Sequence, residues 1–400
     1  MTEPATIDRV VLRHYRSIAA CDVRLGRLTW LIGRNGAGKS NFLDALHLVK
    51  DALTGSLESA LNERGGLDSV RQRSGGHPKH FTVRLEFTLA DGRRGFYSFE
   101  VGSREGARHF VKQERLELPS RGSGPYFSIK GGKMVESSTE TRPALADDRL
   151  GLVAMAGLSD FKPVYDVLVG MSFYNLNPQR MRELQKPGDG RLLKPEGENI
   201  ASALGHLERV APDVHRTVSE YLHEIAPMIE SVERKAVSSM ETLEFRQAVR
   251  NAQNPWRFEA QSMSDGTVRA LGVLTALFQQ SSGFPTSLVG IEEPETALHP
   301  AASAALRDAI RFSAESRQIV LTSHSAELLD DGDITPEELR AVVWDRGDTR
   351  IVPIGEVAAE AMRDHLYSAG ELLRQERLTP AGEDLDELRL GTGDLFGSLE

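Results

Sequence analysis

Residues 33 to 40 read Gly33-Arg34-Asn35-Gly36-Ala37-Gly38-Lys39-Ser40, a loop that matches G-x-x-x-x-G-K-S/T at every fixed position. The apolar run Leu28–Ile32 before it predicts a strand, and residues 41–50 carry apolar side chains at helical spacing. In such a unit the glycines let backbone N–H groups close around phosphate oxygens, while Lys39 reaches the β- and γ-phosphates and Ser40 binds Mg²⁺. The sequence therefore predicts a nucleoside triphosphate site in an α/β domain.

Two adjacent carboxylates, Glu292 and Glu293, follow a second predicted strand at residues 287–291. The first is placed to bind the Mg²⁺ shell and the second to orient or deprotonate an attacking water. Alone, such a pair is explained as solvated side chains, but the phosphate loop upstream favours the catalytic interpretation. His324 follows the next apolar strand, where a histidine can contact the γ-phosphate. The alternative for His324 is a capping histidine in a loop.

A helix-starting motif, Ser264-Asp265-Gly266-Thr267, precedes these strands. Apolar residues at helical spacing follow it as far as Phe278, which predicts a helix over residues 266–279. Ser264 or Asp265 is predicted to cap this helix, and Gly266 to allow a close approach of another backbone segment. Taken alone, the motif is only a helix cap.

The remaining pattern predicts an α/β head interrupted by a long insertion. Period-two alternation over residues 81–118 predicts a small antiparallel sheet, and the composition of residues 119–148, rich in Gly, Ser and Pro, predicts a loop or flexible insertion. Pro212 separates two predicted helices, and a hairpin is expected at residues 339–354. The expected segments are the N-terminal half of the head at 1–118, an inserted lobe of loop, helices and short strands at 119–255, the C-terminal half of the head at 256–354, and a helix with an acidic tail at 355–400.

Composition narrows the class of protein. The 400 residues are 40% apolar, as in a packed core, and their formal net charge of −10 weighs against uniform nucleic-acid binding. Cys21 is the only cysteine, which excludes an internal disulfide and any cysteine-based metal cluster. No run of about eighteen apolar residues and no signal-like N-terminus is present. We expect a cytoplasmic protein with no membrane segment.

Taken in order, these motifs resemble those of ATP-binding-cassette ATPases, in the branch that contains RecF-like, SMC-like and OLD-like proteins. More narrowly, they are similar to compact bacterial AAA family ATPases of that branch. His14-Tyr15-Arg16-Ser17-Ile18 before the loop and Ala297-Leu298-His299-Pro300 after the glutamates fit the same branch. The resemblance covers residues 7–345. It implies a P-loop NTPase of ABC/SMC-head type, α/β in class, with an antiparallel β subdomain and an inserted mixed, largely helical lobe.

The resemblance also implies an ATPase whose two heads pair and sandwich two ATP molecules, as a homodimer or higher oligomer. ATP and Mg²⁺ are the implied cofactors, with Ser40 and Glu292 at the metal, Glu293 as general base and His324 as the switch residue. The implied nucleotide-binding residues are Asn35, Gly36, Gly38, Lys39, Ser40 and Asn41, together with Ser264 and Gly266 of the facing subunit.

Two functional hypotheses follow. The first is an ATPase that regulates a separately encoded effector, such as a TOPRIM-like nuclease, in DNA processing or anti-phage defence, because the motif set contains no second catalytic constellation. The alternative is a RecF-type DNA-repair ATPase that itself binds DNA. Its candidate contacts, which can equally be a solvated surface, are Arg71, Arg73, Lys79, Arg93, Arg94, Arg104 and Arg108. A transporter subunit is not expected, because the signature departs from Ser-Gly-Gly-Gln.

The sequence does not decide the position of the Gln-loop or the role of the C-terminal tail. No Gln-loop can be placed securely, and Gln113 is the candidate. Residues 381–400 hold six acidic residues and one arginine, a net −5 out of the total −10, interleaved with leucines. This tail is either a docking peptide for a partner or a frayed solubilising end.

Overall fold

The computed structural model describes residues 4–73, 78–104, 107–119, 124–279, 286–378 and 394–399. In these ranges the strands are, in chain order, β1 (Thr6–Tyr15), β2 (Ile18–Arg24), β3 (Leu28–Ile32), β4 (His80–Thr88), β5 (Arg94–Arg104), β6 (Ala107–Glu117), β7 (Tyr126–Lys130), β8 (Lys133–Ser137), β9 (Ser172–Tyr174), β10 (Ile229–Val237), β11 (Met240–Gln247), β12 (Trp256–Glu259), β13 (Leu288–Glu292), β14 (Gln318–Ser323), β15 (Leu339–Asp345) and β16 (Asp348–Pro353). The helices are α1 (Lys39–Thr54), α2 (Leu57–Glu63), α3 (Leu67–Val70), α4 (Leu152–Met155), α5 (Lys162–Val169), α6 (Pro178–Arg182), α7 (Ile200–Val210), α8 (Pro212–Ile225), α9 (Asp265–Phe278), α10 (Ser303–Ala314), α11 (Glu356–Arg363) and α12 (Ala369–Arg374).

The chain divides into two units. Unit 1 comprises Met1–Met171, Thr335–Leu366 and Gln375–Glu400, and unit 2 comprises Ser172–Ile334 and Tyr367–Arg374. The loop of residues 33–40 belongs to unit 1. The predicted carboxylates, His324 and the Ser264 motif belong to unit 2.

Unit 1 contains a seven-stranded antiparallel sheet in the order β2-β1-β4-β5-β6-β7-β8. The sheet predicted over residues 81–118 is confirmed as β4, β5 and β6. The prediction of a loop or flexible insertion over residues 119–148 is wrong in part, because β7 and β8 extend the sheet there. Phe127 and Ile129 are buried two residues apart in β7. This alternation spans only five residues beside glycines and serines, so turn-forming composition masked it.

Unit 1 also contains the strand that leads into the phosphate loop. Strand β3 is buried along its whole length and pairs in parallel with β15, with Trp30 opposite Leu339. Strands β15 and β16 form the predicted hairpin. Helix α1 follows the loop and buries Phe42, Leu46 and Val49, which confirms the predicted amphipathic helix.

Unit 2 contains three parallel strands whose carboxyl ends lie at one edge of the sheet. Strands β9, β13 and β14 run parallel, with β13 in the middle and Glu292 opposite Thr322. Because parallel strands end at the same edge, residues that follow β13 and β14 meet there. Helices α7 and α8 are confirmed on either side of Ala211, since Pro212 occupies the first position of α8 and cannot continue α7. Strands β10, β11 and β12 form a separate antiparallel sheet.

The lengths and composition of the helices bear on whether any of them could span a membrane. Within the described ranges, none is long and apolar enough to cross one.

Candidate functional site

The loop of residues 33–40 has a backbone shape that requires glycine at its end. Gly38 caps α1 with φ of 103°, a region that residues with a Cβ rarely adopt. A Cβ at this position would lie 2.1 Å from Oγ1 of Thr349. The same hydroxyl donates to the carbonyl of Ala37 at 2.7 Å. The loop is therefore fixed by a contact that leaves no room for a side chain at Gly38.

The open end of α1 favours an anion. No acidic side chain lies in its first turn, so no carboxylate there opposes the positive end of the helix dipole. Lys39 is buried, and its ammonium donates to the carbonyls of Gly33 at 2.8 Å and Arg34 at 3.2 Å. Asn35, Gly36 and Ser40 are exposed on the same loop. These features fit the phosphates of a nucleotide.

Ser17 and Thr349, which the sequence did not place at this loop, support it through hydrogen bonds. Asn41 donates through its amide to Ser17 Oγ at 2.6 Å, and Ser17 Oγ lies 2.7 Å from Thr349 Oγ1. Ser17 follows β1 in the tight turn to β2, and Thr349 lies in β16. Ser17 belongs to the stretch 14–18 that fits the family resemblance, and Thr349 belongs to the predicted hairpin. Because both are far from the loop in sequence, no local pattern indicates their contact with it.

Glu293 follows β13 in an uncommon backbone conformation, with φ of 43°. Its N–H donates to the carbonyl of Thr322 at 3.0 Å and lies 3.1 Å from the Thr322 hydroxyl. Its carbonyl accepts from the Arg269 guanidinium at 3.1 Å, which also donates to the carbonyl of Glu292 at 3.0 Å. Backbone strain of this kind persists only where neighbours hold it. Thr322 and Arg269 are those neighbours.

The buried guanidinium of Arg269 makes a further set of contacts that the sequence did not reveal. It also donates to the carbonyl of Leu176. Burial lowers the pKa of Arg269, while the nearby carboxylates of Glu295, Glu293 and Glu292 oppose that shift. Arg269 lies on α9, so a single side chain connects this helix to the backbone of the two carboxylates.

Glu293 and His324 are brought together. Nδ1 of His324 lies 3.4 Å from Oε1 of Glu293. Buried Glu295 accepts from the Ser323 hydroxyl at 2.7 Å and from the N–H of His324 at 3.2 Å, so it fixes the backbone that carries the imidazole. The sequence shows only a third glutamate, Glu295, three residues after Glu292. Its burial, which suits it to this role, is visible only in the structure. A carboxylate beside an imidazole can accept a proton from water.

The Ser264 motif starts α9 as predicted. The hydroxyl of Ser264 accepts from the N–H of Thr267 at 3.2 Å, which confirms it as the cap, and the side chain is exposed. Asp265 forms an ion pair with Arg182. A Cβ on Gly266 would lie 2.4 Å from the carbonyl oxygen of Ala297. The start of α9 is thus packed against the segment that follows the carboxylates.

Few side chains of the candidate site can act as metal ligands. Over the part of the chain that the structure describes, no cluster of three or more His, Cys, Asp or Glu could hold a metal ion by itself. Mg²⁺ is commonly held by one or two protein ligands together with substrate phosphates. The hydroxyl of Ser40 in unit 1 and the carboxylate of Glu292 in unit 2 are each oxygen ligands of the kind that Mg²⁺ accepts.

The remaining candidates lie in other places. Gln113 lies inside the ladder of β6, between Glu100 and Lys130, and is not in a loop. Among the basic residues, Arg71 pairs with Asp68 and Arg93 pairs with Asp91, each at 2.8 Å. The side chains of Arg104 and Arg108 and most of the acidic tail, residues 381–393 and 400, lie outside the described residues.

Comparison with known proteins identifies the family and the fold. The family described as "AAA domain, putative AbiEii toxin, Type IV TA system" matches residues 28–124 and 200–330, more than half of the chain. No curated protein sequence matches the chain.

Two solved structures are similar over most of the chain. One is an Smc head bound to the C-terminal winged-helix domain of ScpA, at 14% identity and a TM-score of 0.53, covering 87% of this chain and 97% of that one. The other is an Smc head with an extended coiled coil, bound to the C-terminal domain of ScpA, from Pyrococcus furiosus. It is 12% identical, with a TM-score of 0.55, covering 90% of this chain and 99% of that one. The predicted ABC/SMC-head type of fold is thereby confirmed.

Proposed function

Because the chain belongs to the family described as AAA domain, putative AbiEii toxin, Type IV TA system, we propose that it binds ATP, hydrolyses it and dimerises around it. The observation that carries the proposal is the loop of residues 33–40. It opens directly into a helix end free of acidic side chains, with the Lys39 ammonium across it. Lys39, with the backbone around Asn35, Gly36 and Gly38, binds the phosphates in this proposal.

Glu293 is the proposed general base. Its carboxylate accepts a proton from the attacking water, and its backbone is held in place by Arg269 and Thr322. His324, 3.4 Å away, orients that carboxylate and responds to the γ-phosphate. We assign the binding of Mg²⁺ to Ser40 and Glu292, where the ion would supply charge stabilisation for the transferred phosphoryl group.

Ser264 and Gly266 are proposed to act across a dimer. The exposed hydroxyl of Ser264 and the N-terminus of α9 are suited to a phosphate, and the phosphate we assign to them belongs to the ATP of a facing subunit. In a C2 pair each ATP is then contacted by both chains. ATP binding would stabilise the dimer, and hydrolysis would release it.

We assign the output of this cycle to a separately encoded partner, in the cytoplasm. The two similar Smc heads are bound to ScpA domains, which supports the use of this kind of head as a platform for another protein. A TOPRIM-like nuclease or another effector in DNA processing or anti-phage defence is the proposed partner. Co-expression with the product of the adjacent reading frame tests this, because the complex should form in ATP and dissociate in ADP.

Release of phosphate from ATP tests the enzyme activity. The wild-type chain should hydrolyse ATP, and Lys39→Met should lose both nucleotide binding and turnover, because it removes the ammonium across the loop. Lys50→Met is the matched control, since it removes the same charge from α1 away from the loop. Equal turnover by Lys39→Met and wild type would contradict the assignment.

A further inference from the structure

The seven-stranded sheet of unit 1 carries a buried cation on one of its faces. Successive side chains of a strand point to opposite faces of the sheet. Arg84 and Glu86 of β4 therefore share one face, and Val83 and Leu85 share the other. Phe96 is the cross-strand partner of Glu86 and shares their face. Arg84 is only 5% exposed and Phe96 is fully buried. A guanidinium this buried requires partners.

The partners of Arg84 include the end of the chain. Its guanidinium donates to the carboxylate of Glu86 at 2.9 Å and lies 3.9 Å from the centre of the Phe96 ring. It also donates to the main-chain carbonyls of Leu395 at 3.1 Å and Gly397 at 2.7 Å. Two of its acceptors thus come from a segment more than 300 residues away.

The same segment makes a further hydrogen bond to this face. Ser398 donates through its hydroxyl to Glu117 at 3.0 Å, and Glu117 lies opposite Phe96 on β6. The side chain of Leu395 is buried. The contacts therefore run from β4 to β6, on either side of Phe96 in β5. We call the surface formed by Arg84, Glu86, Phe96 and Glu117 the Arg84 face.

The sequence of the segment encodes the shape that makes these contacts. Asp394-Leu395-Phe396-Gly397 has aspartate at the first position and glycine at the fourth, a pattern typical of a type I turn. The Asp394 carboxylate accepts from the N–H of Phe396 at 2.9 Å, and its carbonyl accepts from the N–H of Gly397 at 3.1 Å. These local bonds leave the carbonyls of Leu395 and Gly397 free to face Arg84.

We propose that the Arg84 face is a recognition site for a turn peptide, and that its occupant is the C-terminal turn, residues 394–398, of the same chain, bound reversibly. Leu378 is buried in unit 1, where its carbonyl accepts from the N–H of Gly355. Fifteen residues, 379–393, connect it to the turn, and such a length can span about 50 Å at most. Because the turn and its site belong to one chain, the contact is intramolecular and avoids the entropic cost of bringing two molecules together.

Binding of the turn to the Arg84 face does not depend on ATP hydrolysis. It also differs from the hypothesis that the tail is a docking peptide for another protein. The end of the tail already has a binding site on its own chain. The Arg84 face is open to other proteins only when the turn leaves, so the turn acts as a built-in cap.

Peptide binding to the full-length chain tests the proposal. A fluorescent peptide of residues 390–400 is titrated against wild type and against Leu395→Asp, in which a charge at a buried position displaces the tethered turn. We expect Leu395→Asp to bind the peptide at least about tenfold more tightly than wild type, because the tethered competitor has left its site. Leu366→Asp, at a leucine that is 66% exposed, is the matched control and should behave as wild type.

Arg84 provides the second arm of the test. Arg84→Met, added to Leu395→Asp, should weaken peptide binding about tenfold or more, and Arg84→Lys should be intermediate, because an ammonium lacks the planar guanidinium that lies over Phe96 and donates in fixed directions. The unfolding midpoint and nucleotide binding of each variant show that it is folded. Failure of folded Leu395→Asp to bind the peptide, or equal binding by wild type, would overturn the proposal. Concentration-dependent wild-type dimers that Leu395→Asp abolishes would also overturn it, since the occupant would then be the turn of a second copy.

Discussion

The guanidinium of Arg269 donates to the main-chain carbonyl of Glu293 at 3.1 Å. Arg269 lies on α9, five residues after Ser264, and Glu293 is the first residue after β13. The same side chain binds the carbonyls of Glu292 and Leu176. Arg269 therefore links the start of α9 to the backbone that holds the proposed general base.

Replacement of Arg269 tests this connection. Arg269→Met leaves three main-chain carbonyls without their donor, and we expect destabilisation by about 1–3 kcal/mol for each group left unsatisfied. Turnover should fall more than the affinity for ATP, because the loop of residues 33–40 is unchanged. Arg269→Lys should recover part of both losses. Thermal unfolding and steady-state kinetics measure them, and an Arg269→Met variant with wild-type stability and turnover number would contradict the proposed link.

Glu293→Gln should separate binding from hydrolysis. The amide keeps the size of the side chain but cannot accept the proton of water, so we expect turnover to fall by about 10²–10⁴-fold while ATP binding persists. Phosphate release and nucleotide titration provide the two readouts. Glu220→Gln, at an exposed position of α8, is the matched control. Retention of turnover by Glu293→Gln would assign the base to another residue.

Gly38→Ala should damage the phosphate loop. The new Cβ would lie 2.1 Å from Thr349 Oγ1 at a φ of 103°, so both a clash and backbone strain result. We expect a stability loss of about 1–3 kcal/mol and loss of ATP binding. Gly92→Ala is the control, because Gly92 also has positive φ but no atom within 4 Å of its Cβ position. Similar melting and ATP affinity in the two variants would show that the Thr349 contact does not shape the loop.

Glu114 predicts a pH dependence of stability in unit 1. It is fully buried and accepts from the N–H groups of Gly151 and Leu152 and from the Tyr97 hydroxyl. Burial raises the pKa of Glu114 from 4.5 to about 7, although these three donors oppose the shift. The native state therefore holds the proton more tightly than the unfolded chain, and this contribution to stability falls as pH rises from about 4.5 to about 7.

The slope of unfolding free energy against pH measures this effect. Between about pH 4.5 and about pH 7, the wild type should lose at most about 3 kcal/mol more than Glu114→Gln, which cannot titrate at this position. Glu136→Gln, at an exposed position of β8, should keep the wild-type slope. Parallel wild-type and Glu114→Gln curves would contradict the assignment.

Local patterns were sufficient for the phosphate loop, for α1 and for the break at Pro212, because each depends on residues adjacent in sequence. They were also sufficient for the Ser264 cap. Strands β7 and β8 were missed because their short alternation lies among turn-forming residues.

Contacts between distant residues could not be predicted from one sequence. Thr349 supports a loop more than 300 residues before it, and Arg269 binds carbonyls that no side-chain pattern records. The docking of the C-terminal turn on Arg84 belongs to the same class, since only the fold brings the two together.

The mass of Glu293→Gln in solution, with and without MgATP, tests the central claim most directly. Light scattering after size-exclusion chromatography should give twice the 44.0 kDa of one chain in MgATP and a monomer in MgADP. The added Ser264→Arg substitution should restore the monomer in MgATP without loss of ATP binding to each chain. A Glu293→Gln protein that is saturated with ATP and remains at 44.0 kDa would contradict the account.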